Sequence, residues 1–101
     1  MDDVIYLIAY SYTKDEFGVD RKEPHSRRVF AKIESVTRAE YFNAGRNGLN
    51  PEFKFVVFAA DYNGETVCQY HGMQYSIYRT SHYLGIDYVE LYVQREGGSN
   101  G

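Results

Sequence analysis

The sequence has little of several features that would define a functional class. Cys68 is the single cysteine among 101 residues, which excludes an internal disulfide and any multi-cysteine metal site. No apolar run approaches the ~20 residues of a membrane-spanning helix. The short apolar stretch near the N-terminus follows two aspartates rather than the basic residues of a secretion signal. We therefore expect a mature chain in a reducing cytoplasm, without a membrane contact.

A basic excess is also missing. The chain has 11 Lys and Arg against 14 Asp and Glu, for a formal net charge of −3, which argues against stand-alone binding of DNA or RNA. Its hydrophobic fraction of 44% and charged fraction of 25% are those of an ordinary folded domain. We expect one domain over residues 1–96, followed by a flexible Gly/Ser tail over residues 97–101.

Aromatic side chains are in excess: eleven Tyr and six Phe occur without a single Trp. Such residues suit strands and protein interfaces. Alternating and continuous apolar patterns predict about six strands, over residues 4–12, 28–36, 53–60, 66–70, 73–80 and 86–95. Asn63-Gly64 and His71-Gly72 predict tight hairpin turns, and residues 81–85 a linker. The fold class is mostly β, a small antiparallel β-barrel or sandwich with one short helix after the second strand.

That helix is predicted by the segment Thr37-Arg38-Ala39-Glu40, which has the form of a capping box. It can run from Arg38 to Ala44 before Gly45 ends it. Two turns of helix are not stable alone in water. We therefore expect Tyr41 and Phe42 to pack against one face of the sheet.

No combination of residues specifies a catalytic, metal or cofactor site. His25, His71 and His82 lack the spacing of metal ligands, and Cys68 lacks the setting of a nucleophile. Gly45 and Gly48 are not followed by the Lys-Ser/Thr of a phosphate-binding loop. We predict that the protein is not an enzyme and holds no cofactor.

Two features do suggest an interaction. The aromatic and apolar surface is large for so short a chain, and self-association, head-to-tail in the case of a ring, is one way to cover it. The segment from Thr13 to Ser26 is rich in charges of both signs. It is interpreted as an exposed mixed-charge loop or hairpin, or alternatively as an electrostatic contact between subunits.

The order of these segments resembles the head-tail joining proteins (head closure, or stopper, proteins) of long-tailed bacteriophages. In the first half the resemblance is carried by the segments Lys14-Asp15-Glu16-Phe17-Gly18, Val29-Phe30-Ala31-Lys32-Ile33-Glu34-Ser35-Val36 and Thr37-Arg38-Ala39-Glu40-Tyr41-Phe42-Asn43-Ala44. In the second half it is carried by Tyr62-Asn63-Gly64-Glu65, by the segment from Tyr70 to Thr80 and by Val89-Glu90-Leu91-Tyr92. The match covers roughly residues 3–96.

The resemblance implies a virion protein, present in the host cytoplasm during assembly, that forms a ring between the portal or its adaptor ring and the tail protein. DNA would pass through the ring without sequence-specific binding. The candidate channel or partner loop is Gly45, Arg46, Asn47, Gly48, Leu49 and Asn50. The candidate contacts to the next subunit or to the adaptor are Lys14, Asp15, Glu16, Phe17, Arg21, Lys22, Arg27 and Arg28.

Two alternatives stay open. A tail-side ring protein such as a tail terminator has a similar small fold. A small barrel that binds single-stranded nucleic acid by aromatic stacking is suggested by Tyr62, Tyr70, Tyr75 and Tyr78.

Overall fold

The computed structural model describes residues 3–83 and 87–96, without the side chain of Tyr83. Its strands are β1 (Asp3–Lys14), β2 (Asp20–Glu34), β3 (Pro51–Phe58), β4 (Val67–Tyr70), β5 (Met73–Tyr83) and β6 (Tyr88–Arg95). The helix α1 (Arg38–Gly45) follows β2, and a 3-10 turn (Ala59–Asp61) follows β3. The predicted tail over residues 97–101 lies outside the described residues.

The six strands form one antiparallel sheet that closes into a barrel in the order β1-β2-β3-β6-β5-β4. This confirms the predicted mostly β class and the position of the helix after β2. Each strand points alternate side chains into the barrel, and these inward side chains form one apolar core. Its members are Ile5, Leu7, Val29, Ala31, Phe55, Val57, Cys68, Tyr75, Ile77, Val89, Leu91 and Val93.

Of the two hairpin turns predicted at glycines, one is present in the structure and the other is not. His71 and Gly72 join β4 to β5 as a two-residue hairpin in which both residues have positive φ, 51° and 78°, the combination that a type I′ turn requires. The prediction of a hairpin at Asn63-Gly64 is wrong. β3 pairs with β2 and β6, whereas β4 pairs with β1 and β5, so the chain crosses the barrel end between them.

The predicted linker over residues 81–85 is wrong for its described part, because β5 continues through Tyr83 and pairs with β6. Residues 84 and 85 lie outside the described residues. In β6 the apolar residues Val89, Leu91 and Val93 are buried in the core. Glu90 and Tyr92, which alternate with them, are also buried, because neighbouring side chains cover the outer face of the sheet at this position.

The β1-β2 hairpin extends well beyond the barrel. β1 pairs with β4 only from Tyr6 to Ile8, whereas its pairing with β2 continues to Lys14 and Asp20. Residues 9–25, here called the arm, therefore form a two-stranded ribbon about 20 Å long. The arm accounts for a radius of gyration of 15.0 Å, compared with about 13 Å for a compact chain of this length.

Helix α1 begins as predicted but docks differently. The Thr37 hydroxyl accepts the amide of Glu40 at 3.1 Å, which is one half of the capping box. The Glu40 carboxylate does not return to Thr37. It binds β5 instead, because a guanidinium is a stronger donor than a neutral amide. The expectation that Tyr41 and Phe42 pack on the sheet is wrong, since they are 48% and 59% exposed.

Candidate interaction surfaces

The tip of the arm is a rigid turn built on Asp15. Its Oδ1 accepts the backbone amides of Phe17 at 2.8 Å and Val19 at 2.9 Å. The Asp15 amide donates to the Val19 carbonyl at 3.0 Å. This network holds Phe17 in the open, where its side chain is 80% exposed. The turn is thus ordered by local bonds and presents an aromatic ring to a partner at little conformational cost.

Most charges of the arm are paired within it. Lys14 lies 3.0 Å from Asp20, and Arg21 lies 3.5 Å from Asp15. The Lys22 ammonium sits 4.1 Å above the ring of Tyr10. Exposed pairs of this kind contribute little to stability. They leave the predicted contact residues Lys14, Asp15 and Arg21 neutralised by neighbours, whereas Lys22 keeps its charge and Glu16 has no cationic partner within residues 3–83 and 87–96.

An aromatic stripe follows the outer face of β1 and β2. Tyr6, Tyr10 and Tyr12 alternate with the core residues of β1 and therefore point outward. Phe30 continues the stripe on β2, with the Arg28 guanidinium 6.0 Å from its ring centroid. Tyr6, Tyr12 and Phe30 are exposed. The stripe connects the barrel wall to the arm as one apolar surface.

The two neighbouring arginines of β2 have different surroundings. Arg27 Nη2 donates at 2.7 Å to both Glu65 Oε2 and the Asp61 carbonyl, and so it closes one end of the barrel. Burial disfavours the Glu65 carboxylate, but the hydrogen bond and charge of Arg27 and the backbone amides of Asn63 and Glu65 together outweigh it and lower the pKa of Glu65. Arg28 has no carboxylate partner among the described residues. Of this predicted pair, Arg28 is the exposed cation that a partner can reach.

The candidate channel or partner loop from Gly45 to Asn50 is a helix terminus in the structure. The Leu49 amide donates to the Ala44 carbonyl and the Gly48 amide to the Gly45 carbonyl, each at 3.0 Å. This is a Schellman motif, in which Gly48 at φ +79° supplies the required left-handed residue. Asn47 and Asn50 are bonded as well, to the Asn43 carbonyl and to Gln94. The segment is a compact knob, of which Arg46 is an exposed part.

Helix α1 is fastened to the barrel by Glu40. Its carboxylate accepts Arg79 Nη2 at 2.5 Å, Arg79 Nε at 3.2 Å and the Tyr78 hydroxyl at 2.8 Å. The hydrogen bond from Arg79 lowers the pKa of Glu40. Burial and the bond to Glu40 raise the pKa of Tyr78. These bonds, together with the buried Ala44, hold the inner side of the helix.

A second polar cluster lies beside the Glu40 and Arg79 pair, on the outer face of the barrel. Lys54 Nζ donates to Glu90 Oε2 at 2.7 Å, and the Tyr92 hydroxyl donates to Glu90 Oε1 at 3.0 Å. Burial disfavours the Lys54 ammonium, but the hydrogen bond to Glu90 and the electrostatic attraction of Tyr92, Glu90 and Glu34 together outweigh it and raise the pKa of Lys54. The Arg79 guanidinium lies 4.0 Å above the Tyr92 ring and joins the two clusters.

The outer face of α1 has no cover in the described structure. Tyr41 and Phe42 contact each other edge to face at 5.8 Å between ring centroids. Arg38 lies one turn before Phe42 and Arg46 one turn after it, so both flank the aromatic pair. Neither arginine has a carboxylate partner among residues 3–83 and 87–96. The resulting patch is aromatic at its centre and basic at its ends.

The described residues contain no group of three or more His, Cys, Asp or Glu placed to hold a metal ion. Burial raises the pKa of the Cys68 thiol to about 12, which leaves it protonated at neutral pH. None of the described helices has the length and apolar character needed to cross a membrane.

The four tyrosines that suggested nucleic-acid stacking do not form an open platform. Tyr75 belongs to the core, and Tyr62 and Tyr70 pack against it. The hydroxyl of Tyr62 donates to the Glu65 carbonyl, and that of Tyr70 to Asp3. Tyr78 is held by Glu40. In the structure these rings are used for packing and internal hydrogen bonds.

Sequence reasoning identified the arm but missed the outer face of α1. The available signal was the spacing of Arg38, Phe42 and Arg46 at four-residue intervals, with Tyr41 beside them. The i, i+4 pair Glu40 and Ala44 lies on the opposite face and contacts the barrel. Because the helix docks through these two positions, the aromatic residues on its other face stay exposed to solvent.

No family model matches this chain, and no curated protein matches it either.

Proposed function

We propose that this protein is a structural, non-enzymatic subunit of the head-tail connector of a long-tailed bacteriophage. In this proposal copies form a ring that closes the DNA-filled head and offers the surface to which the tail attaches. The order of segments that resembles the head-tail joining proteins is one support. The described fold, a small closed barrel with one helix after β2, agrees with what that resemblance implies.

The observation that carries the proposal is the amount of large apolar surface left in solvent. In the part of the chain that the structure describes, nine large hydrophobic side chains are exposed: Tyr6, Tyr12, Phe17, Val19, Phe30, Tyr41, Phe42, Phe58 and Met73. Burying one such side chain contributes about 1.5–3 kcal/mol. A ring that covers even a few of them per subunit gains a large stabilisation.

The electrostatics support a channel that does not hold DNA tightly. The formal net charge is −3, and Lys14, Arg21 and Arg27 are paired with carboxylates, which leaves Lys22, Arg28, Arg38 and Arg46 without a carboxylate partner among the described residues. DNA affinity depends on unpaired Lys and Arg that replace counterions. Weak contact of this kind suits a ring through which DNA moves without sequence-specific binding.

The neighbours in this proposal are the portal or adaptor ring on one side and a tail protein on the other. The arm, with Glu16, Phe17 and Arg28 accessible, is assigned to the adaptor or the next subunit. The knob from Gly45 to Asn50 is assigned to a partner contact, because its hydrogen bonds favour a fixed shape over rearrangement. The protein would reside in the virion, after assembly in the host cytoplasm.

The test is removal of the gene from the phage that encodes it, followed by electron microscopy of the lysate and mass spectrometry of purified wild-type particles. The connector proposal expects the polypeptide in tailed particles, and in its absence emptied heads beside free tails of normal length. Tails of abnormal length would instead assign it to the tail terminator. Tailed particles that lack the polypeptide, or turnover of a metabolite by the purified protein, would overturn the proposal.

A further inference from the structure

Two uncovered surfaces of this molecule are complementary in chemistry. The arm tip carries Phe17 beside the carboxylate of Glu16, and both are exposed. The outer face of α1 carries the aromatic pair Tyr41 and Phe42 between two arginines. One surface is aromatic and acidic, and the other is aromatic and basic.

The charges that remain after internal pairing agree with this match. On the arm, Lys14 is paired with Asp20 and Arg21 with Asp15, whereas Lys22 lies over the neutral ring of Tyr10 and keeps its charge, so that two carboxylates and one ammonium remain. The carboxylates left without a cationic partner among the described residues are Glu16 and Glu23. On α1 the corresponding unpaired cations are Arg38 and Arg46, since Glu40 is bound to Arg79.

The spacings of these charges are also similar. Arg38 and Arg46 are eight positions apart, which places them about 12 Å apart along a helix axis. Glu23 lies three residues from the end of the arm ladder at Asp20, a distance of about 10 Å along a strand. Glu16 lies in the turn beyond that end. The separation of the two carboxylates along the arm is thus of the same order as that of the two guanidiniums along the helix.

We propose that the arm tip of one copy docks on the outer face of α1 of a second copy, with Phe17 against Tyr41 and Phe42. Glu16 and Glu23 then face Arg38 and Arg46. This inference rests on the proposed function, because it names the contact between ring subunits. The two surfaces are different patches of one molecule, so the contact is head-to-tail and propagates from copy to copy until a ring closes.

The contact is small when only two copies meet. An aromatic side chain buries about 150–250 Å², so three partly exposed rings give an area well below the ~1,200 Å² of a stable interface. A single arm-to-helix contact is therefore weak in dilute solution. Closure of the ring and docking on a neighbouring ring would raise the effective concentration of each contact. The test must consequently trap the contact rather than rely on its lifetime.

Cysteine trapping meets this requirement, because the native Cys68 is buried and protonated. We place cysteines beside the proposed contact without changing its aromatic rings, as Val19→Cys on the arm and Ala39→Cys on α1. Met73→Cys, at an exposed position in the β4-β5 hairpin, is the matched control. Under mild oxidation, mixed V19C and A39C chains should form the disulfide-linked dimer at least several-fold more than mixed V19C and M73C chains. A chain carrying both V19C and A39C should give a ladder of higher oligomers.

Charge reversal in the same assay tests the electrostatic part. Glu16→Arg in the V19C chain, or Arg38→Glu in the A39C chain, should lower the yield several-fold. Combining the two reversals should restore the yield towards its original level. Equal trapping with the M73C control, or a combination as poor as either single change, would overturn the contact.

These outcomes are independent of the connector proposal. A chain that traps arm to helix but is missing from tailed particles would overturn the connector proposal and leave the contact in place. A chain found at the head-tail junction whose arm does not trap on α1 would overturn the contact alone.

Discussion

Glu40 and Arg79, 39 residues apart in sequence, join the helix to the barrel through two hydrogen bonds of 2.5 Å and 3.2 Å. The pair is partly sheltered, with side-chain exposures of 11% for Glu40 and 45% for Arg79. Arg79 also lies over the ring of Tyr92. The helix is therefore held by a bidentate ion pair on its inner side, and its aromatic residues stay free for an intermolecular role.

Replacing Glu40 with Gln should destabilise the protein by about 1.5–3 kcal/mol, the contribution of hydrogen bonds to charged groups. The amide keeps the shape of the side chain but loses the charge that binds Arg79. The measurement is urea unfolding, with hydrogen exchange to show faster opening of the α1 amides. Glu52→Gln is the matched control, because Glu52 forms only a long, exposed pair with Arg95 at 3.9 Å. Equal stability of the two variants would show that the ion pair does not hold the helix.

Lowering the pH should reduce the free energy of unfolding of the wild-type protein more than that of variants that lack Glu40 or Glu65. Hydrogen bonds from Arg79 and Arg27 lower the pKa of these carboxylates below the ordinary value of 4.5. A lowered pKa in the folded state stabilises the protein above pH 4.5, and this stabilisation is lost as pH falls through the folded pKa. Urea unfolding at a series of pH values between about 7 and 3 should give a shallower decline for Glu40→Gln than for wild type. Parallel declines would contradict the assignment.

The sequence predicted the elements of this fold better than their partners. Alternation of apolar residues located the strands, and Thr37 located the start of α1, because both signals are local. The failed hairpin at Asn63-Gly64 shows the limit of such signals. Asn-Gly fits a tight turn, but the neighbours of β3 are chosen by closure of the barrel, which is a long-range property.

The candidate surfaces show the same limit. The mixed charges of the arm marked it as exposed, and this could be read directly from residues 13–26. That Arg27 is bound inside while Arg28 is accessible depends on Glu65, 38 residues away from Arg27. The exposure of Tyr41 and Phe42 depends likewise on Arg79, which binds Glu40 and so fixes the face of the helix that meets the barrel. A local sequence pattern does not predict this pairing.

Removing the aromatic rings of α1 should leave folding intact. The double variant Tyr41→Ala and Phe42→Ala should change the free energy of unfolding by no more than about 0.5–1 kcal/mol, because both rings are exposed and alanine favours helix. Phe55→Ala, in the core, should cost about 3–5 kcal/mol. Urea unfolding measures both. A large loss of stability in the double variant would mean that these rings pack within the monomer after all.

The neighbours Arg27 and Arg28 give a matched pair for the barrel end. Arg27→Met leaves the Glu65 carboxylate, whose side chain is 5% exposed, without its ion-pair partner. We expect a loss of about 1–3 kcal/mol, reduced from the full value for a buried pair because the Arg27 side chain is itself 41% exposed. Arg28→Met should change stability by less than about 0.5 kcal/mol.

Adding Glu65→Gln to Arg27→Met should recover part of that loss, because the neutral amide no longer requires a cation. The amide also retains an oxygen that can accept the Asn63 amide, as Glu65 Oε1 does at 2.9 Å. A double-mutant cycle by urea unfolding at pH 7 measures the coupling between the two positions. A coupling near zero would mean that the 2.7 Å contact contributes nothing to closing the barrel end.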